Sequence, residues 1–172
     1  GATVALRIAI EAPAQARSLT LIEPVLFAAA ADGPEKSANA EILARMGPLI
    51  AAGNSREAAR AFLSVWGAGE AFDDLPEEQA VRMAGQMWMI PAQRAALHDD
   101  AARLIPRLGQ VACPVLLLEG SRSPPVIGRI LDRLEAGVPE VRRATVDGAG
   151  HMAPLTHPAE TAEAVAAFLA DI

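Results

Sequence analysis

The run Val115-Leu-Leu-Leu118 is the strongest constraint in this sequence. Four consecutive aliphatic residues leave no polar face, so a strand built from them must be covered on both sides. Such strands belong to parallel sheets flanked by helices. The flanking residues agree. Gly120 and Pro124-Pro125 mark a turn after the run. Ile127, Ile130, Leu131 and Leu134 then recur at i, i+3, i+4 and i+7, one face of a helix, with Gly137 as its C′ residue and Pro139 beyond. Residues 143–146 predict a third strand, and Asp147-Gly-Ala-Gly150 a loop. A last helix starts near Pro158, with Val165, Phe168, Leu169 and Ile172 at the same spacing.

The start of the chain repeats the alternation. In residues 3–11, Val4 and Ile8 lie four apart with Ala5 and Ala9 beside them, which predicts a helical face closed by Pro13. Arg7 and Glu11 fall on its outer surface. Residues 18–22 read as a strand that Glu23-Pro24 ends, because proline lacks a ladder donor. The two ends therefore form a parallel α/β sheet of about three strands joined by right-handed crossovers. Between them no strand is convincing. Asn54-x-x-Glu57 and Asp74-x-x-Glu77 resemble capping boxes. Ala58, Ala61, Phe62 and Val65 make a helical face, and residues 77–89 and 92–104 predict two more helices. The expected organisation is a core of residues 1–26 and 109–172 with a helical insert, 27–108, of the kind that serves as a lid.

Composition narrows the function. At 172 residues and 52% apolar content, the chain can bury the core of one domain. A net charge of −6, a single lysine (Lys36), no basic run and 3% aromatic residues without tyrosine exclude a nucleic-acid partner. No apolar run approaches the roughly 18 residues of a membrane span. The first residues lack the basic start of a signal peptide. The lone Cys113 forbids an intrachain disulfide and fits a reducing, cytoplasmic setting.

The chemistry concentrates in Gly148-Ala-Gly150-His151-Met152, followed by Pro154, His157 and Pro158. A histidine on a glycine-rich loop, directly after a strand, stands at the carboxyl edge of the sheet, where open α/β folds place their sites. An imidazole there takes a proton from a nucleophile and returns it to a leaving group. Strand, Gly-x-Gly-His and helix in this order resemble the catalytic-histidine loop of the α/β-hydrolase superfamily. The opening Gly1-Ala-Thr-Val-Ala-Leu-Arg-Ile-Ala resembles the helix after that family's nucleophile elbow, Gly-x-Ser-x-Gly. Residues 19–24 resemble the next core strand, the insert resembles the cap domain, and residues 115–120 resemble the penultimate strand.

The resemblance implies the carboxyl-terminal part of a hydrolase fold, acting on a small apolar, ester-like substrate with no metal or organic cofactor. It puts the nucleophile and the oxyanion-hole amides just upstream of Gly1, in an absent first half. Ser18, Ser55 and Ser64 have no motif to replace that nucleophile. It also expects an acid after the penultimate strand, where this sequence has Gly120-Ser121-Arg122-Ser123, with Ser123 in the slot. Some relatives, certain haloalkane dehalogenases among them, carry the acid at the end of the preceding core strand, the place of Glu23. Glu23 is therefore the candidate orienting acid and His151 the general base. Asp147 competes with Glu23, and Glu23 has a second reading as a strand end bonded to nearby amides. Met83, Met87, Trp88, Trp66 and Met152 are candidates to line the substrate pocket, with burial in the core as the other reading. His98, beside Asp99 and Asp100, lacks a second histidine at metal-ligand spacing and reads as a solvated helix face. His157 helps start the last helix, and Cys113 is buried and inert. The alternative to a hydrolase is an inert fragment of that fold, a homo-oligomer or partner-binding module whose first strand leaves an edge and an apolar face uncovered.

Overall fold

The computed structural model describes all residues 1–172. Three parallel strands, β1 (Leu19–Ile22), β2 (Val115–Gly120) and β3 (Val141–Val146), lie side by side in that order. Leu19 pairs with Val115, and Val115 with Val141, so the strands start level, and β1 ends opposite Leu118, two residues before β2 and β3 end together at the carboxyl edge. β2 is central, and Val115 to Leu118 are each no more than 2% exposed. Its side chains alternate. Val115 and Leu117 join Leu19 and Leu21 beneath α1 (Ala2–Glu11) and α7 (Val126–Glu135), while Leu116 and Leu118 pack with Val146 and Phe168 of α9 (Pro158–Ala170). All four residues of the α7 stripe, Ile127, Ile130, Leu131 and Leu134, are fully buried. Gly137 follows α7 without a left-handed φ. Its role is room: a Cβ there would lie 2.7 Å from Leu108 Cδ1.

Two expected helix faces differ. α1 buries Leu6, Ala9 and Ile10 rather than Val4 and Ile8, which are 62% and 45% exposed. The helix packs on β1 and on the 3₁₀ turn Ile105–Gln110, and Leu6 and Ile10, rather than Val4 and Ile8, flank the buried Ala9 in that contact. The Arg7–Glu11 ion pair forms on the outside at 2.9 Å. On α9, which follows the short helix α8 (Ala153–Thr156), Phe168 turns inward with Ala164 and Val165 beside it, while Leu169 and Ile172 lie off that face and stay exposed.

Between β1 and β2 the chain forms α2 (Pro34–Ala51), α3 (Ser55–Trp66), α4 (Glu77–Gln86), α5 (Met89–Ala92) and α6 (Arg94–Leu97). These helices have a separate small core of Met46, Ala58, Ala59, Phe72, Ala80, Ala84 and Met87. Neither expected capping box forms. Asn54 precedes α3 without a side-chain bond, and Asp74 belongs to a 3₁₀ turn. Glu57 and Glu77 pair with Arg60 and Arg56 instead. The two helices expected over 77–89 and 92–104 are broken. Pro91 has no N–H for the carbonyl of Met87, so α4 stops and a new turn begins. Further on, Asp100 (φ 44) and Arg103 (φ 52) leave helical geometry, and the Asp100 carboxylate accepts the N–H groups of Leu104 and Ile105 at 2.7 and 3.0 Å. The insert joins the sheet through Phe27, Ala29, Ala30, Trp66, Leu104 and Leu108, all buried in the sheet's core. No helix is long and apolar enough to cross a membrane.

Candidate active site

The carboxyl edge of the sheet gathers three chain segments. β1 ends at Glu23, whose backbone N–H still reaches Leu118 O at 2.9 Å, and whose φ of 50° then turns the chain. A left-handed glutamate before a proline costs on the order of 1–3 kcal/mol and is found where surrounding contacts hold it. Here those contacts fall on the carboxylate. Oε1 accepts the Gly120 N–H at 2.7 Å and the Ser123 hydroxyl at 2.6 Å, and Oε2 faces His151 Nδ1 at 3.1 Å. The glutamate side chain is 3% exposed and the imidazole 20%.

His151 reaches that position because its loop lies directly on β2. A Cβ at Gly120 would come within 2.2 Å of Ala149 O, and Arg122 N–H donates to that same oxygen at 2.8 Å. Gly120 is thus required by close approach of two backbones. Gly148 supplies the positive φ (74°) that starts the loop, and buried Ala149 and Ala153 anchor it over Leu116 and Leu118. Asp147, the competing acid, turns outward and accepts from Ser121 Oγ at 3.0 Å. Ser123 stands in the slot where the family keeps its usual acid, and its hydroxyl reaches the carboxylate offered by the neighbouring strand.

With Nδ1 committed to Glu23, Nε2 is the imidazole nitrogen left for chemistry. No hydroxyl or thiol of this chain bonds to it. Cys113 is buried at the other end of β2, where burial pushes its thiol up and makes it a poor nucleophile. The ring of His151 meets Trp66 edge-on, with centroids 4.8 Å apart. Trp66 packs against Phe27 at 5.7 Å, and Phe27 stacks on His98 at 4.6 Å. His98 is thus half-buried on an aromatic ring, not on a solvated face. Burial holds it below the ordinary histidine value; Arg94 acts the same way and Asp99 opposes it. These rings border a cavity of about 200 Å³ that also meets Asn39, Leu43 and Phe62.

Of the residues expected to line a pocket, Trp66 does so. Met83 and Met87 instead pack into the core of the insert with Met46 and Phe72, because α4 turns that face toward α3. Trp88 is 63% exposed. Met152 is half-buried at the start of α8, outside the cavity lining, with its carbonyl taken by Leu155 and Thr156. His157 precedes α9 and contacts Thr156 Oγ1 through Nδ1. No cluster of three or more metal-ligating side chains forms, and none gathers around His98. Phe27, Asn39 and His98 escaped sequence reasoning as cavity residues. Only His98 carried any signal, and its acidic neighbours obscured it.

The sequence profile described as "Alpha/beta hydrolase family" matches residues 1–164. The chain belongs to the alpha/beta hydrolase family. Its fold is shared with solved alpha/beta hydrolases and related enzymes at low identity. A membrane phospholipase A described as a bacterial virulence factor superposes with a TM-score of 0.69 at 23% identity, covering 99% of this chain and 54% of that one. The carboxylesterase CesB from Bacillus subtilis gives 0.62 at 18%, covering 95% and 55%. Proline iminopeptidase from Mycobacterium smegmatis gives 0.57 at 23%, covering 99% and 62%. This hydrolase chain therefore spans less than two thirds of the length of those proteins. No curated protein matches it in sequence.

Proposed function

We propose that this chain supplies the base, the orienting acid and part of the substrate pocket of a serine hydrolase acting on small apolar esters, with the nucleophile on a segment preceding α1. The single observation behind this reading is the buried Glu23–His151 contact, in which a carboxylate with two further donors aligns an imidazole beside an apolar cavity. With its proton on Nδ1 toward Glu23, the imidazole offers the Nε2 lone pair to a serine hydroxyl. Nε2 takes the hydroxyl proton as the serine oxygen attacks the ester carbonyl, and gives that same proton to the alkoxide that leaves, while the Nδ1 proton stays toward Glu23. Glu23 stabilises the imidazolium formed between these steps. The helices between β1 and β2 act as the cap, and α3 brings Trp66 against the ring. The phospholipase, esterase and peptidase named among the structural neighbours fit acyl transfer as the reaction class.

The test has two arms. The 172-residue chain alone takes no label from a fluorophosphonate and leaves short aryl esters intact; labelling would reveal a nucleophile within residues 1–172 and overturn the division of roles. In the polypeptide extended through the preceding segment, Glu23→Gln lowers kcat on those esters by about 10³–10⁴ with KM little changed. A loss under about tenfold removes Glu23 from the relay. The second reading, a non-catalytic association module, is favoured by the exposed Val4 and Ile8 and the free edge of β1. It predicts no ester hydrolysis even by the extended polypeptide.

A further inference from the structure

The cavity beside His151 is lined by three further polar side chains, Gln93, His98 and Asn39, of which Asn39 alone is buried. Asn39, on α2, is 5% exposed and lines the wall, and its Oδ1 is fully enclosed without a hydrogen-bond partner. An orphaned buried amide destabilises a fold, and a leucine or alanine at this position on α2 would avoid that cost. The other enclosed orphans, Thr3 Oγ1 and Thr161 Oγ1, line neither this cavity nor the groove outside it. Of the three orphans, only Asn39 stands on the wall of this cavity.

The surroundings define what such a ligand is. At about 200 Å³ the cavity is somewhat larger than a site that holds one benzene ring, which needs roughly 150 Å³. Its walls are mainly apolar, with Phe27, Leu43, Phe62 and Trp66 among them. Leu43, Ile90 and His98 also border a neighbouring groove of about 410 Å³. No acid or fixed cation lines the inner cavity, so a charged substituent finds no counter-charge there. A carboxamide both accepts and donates, as do a hydroxyl and a secondary amide, while a hydrocarbon does neither.

We propose that Asn39 is a specificity-determining residue whose carboxamide binds an uncharged hydroxyl or N–H group on a small, otherwise apolar substrate with its reacting end at His151. This rests on the reading of His151 as the general base. The substrate class thereby narrows from any short apolar ester to one carrying a polar substituent a few atoms from the scissile bond.

Benzyl alcohol and ethylbenzene test this, since they share a shape and differ by a hydroxyl in place of a methyl. The readout is NMR titration of the 172-residue chain, following the Asn39 side-chain amide, the Trp66 indole and the His151 ring. Both probes shift Trp66 and His151, and the alcohol alone shifts the Asn39 amide. The affinity ratio of alcohol to ethylbenzene falls about fivefold in Asn39→Leu, the size of one buried neutral hydrogen bond. Asn39→Ala lowers it similarly if leucine perturbs the fold. An unchanged ratio in both variants, an Asn39 amide that stays still while Trp66 moves, or no binding by either probe overturns the proposal. Because the titration reads binding, its failure is separable from a failed relay, which the Glu23→Gln turnover measurement reports.

Discussion

The sheet and the helical insert are built by different means. The sheet's core is made of large branched side chains, and Leu21, Leu117, Leu118 and the α7 stripe have no measurable exposure. The insert's core is mainly alanine and methionine, with one phenylalanine. Its helices are tied on the outside by Arg56–Glu77 at 2.6 Å and Arg60–Asp73 at 2.6 Å, each with two nitrogen–oxygen contacts. Close packing of branched residues fixes one arrangement. Methionine and small residues accept several, and exposed ion pairs add little. The difference matches the work each region is proposed to do. The sheet edge holds Glu23 through the Gly120 N–H and the Ser123 hydroxyl, facing the His151 loop. The insert supplies cavity walls.

Three measurements sharpen or break that contrast. Leu117→Ala is expected to cost about 3–5 kcal/mol in urea denaturation, because a fully buried side chain on the central strand leaves a cavity that β1, β3 and α7 cannot collapse around. Arg60→Ala in the insert is expected to lower the urea midpoint far less than Leu117→Ala does, and less still in added salt, since both partners of its pair with Asp73 are exposed. Equal costs for the two would erase the contrast. The smallest effect concerns His98. Its burial favours the neutral ring in the folded chain. The unfolded chain therefore takes up the proton first as pH falls, and stability is complete above about pH 6.5 and declines below it. Urea midpoints near pH 7.5 and pH 5.5, compared between the parent chain and His98→Gln, check the sign. A parent chain whose His98-dependent stability rises toward acid contradicts the burial of that ring.

How much was legible in the sequence follows the same division. Continuous apolar runs and i, i+3, i+4, i+7 spacing report burial directly, so the strands and α7 were readable to within a residue or two. The Gly-x-Gly-His loop was readable because a tight turn at a strand end needs those residue types. Glu23 was legible as a candidate through the resemblance to relatives with an acid at that strand end, but its partners were not. The insert was harder, since alanine-rich helices carry weak periodicity and their breaks depend on one proline and one side-chain cap. Met83 and Met87 illustrate the limit. Methionine suits a pocket and a core equally, and nothing local distinguishes them.

The sequence by itself determined that this chain forms a covered parallel sheet, with a histidine presented at its carboxyl edge, because burial and turn geometry are written in the order of residue types. Tertiary structure alone decided that Glu23, rather than Asp147, faces that histidine, and that Asn39 and His98 border its cavity. Glu23, Asn39 and His98 lie 53 to 128 positions away from His151 along the chain, with Glu23 meeting it across 128. Local pattern has no means to encode which distant side chains a strand crossing brings within reach.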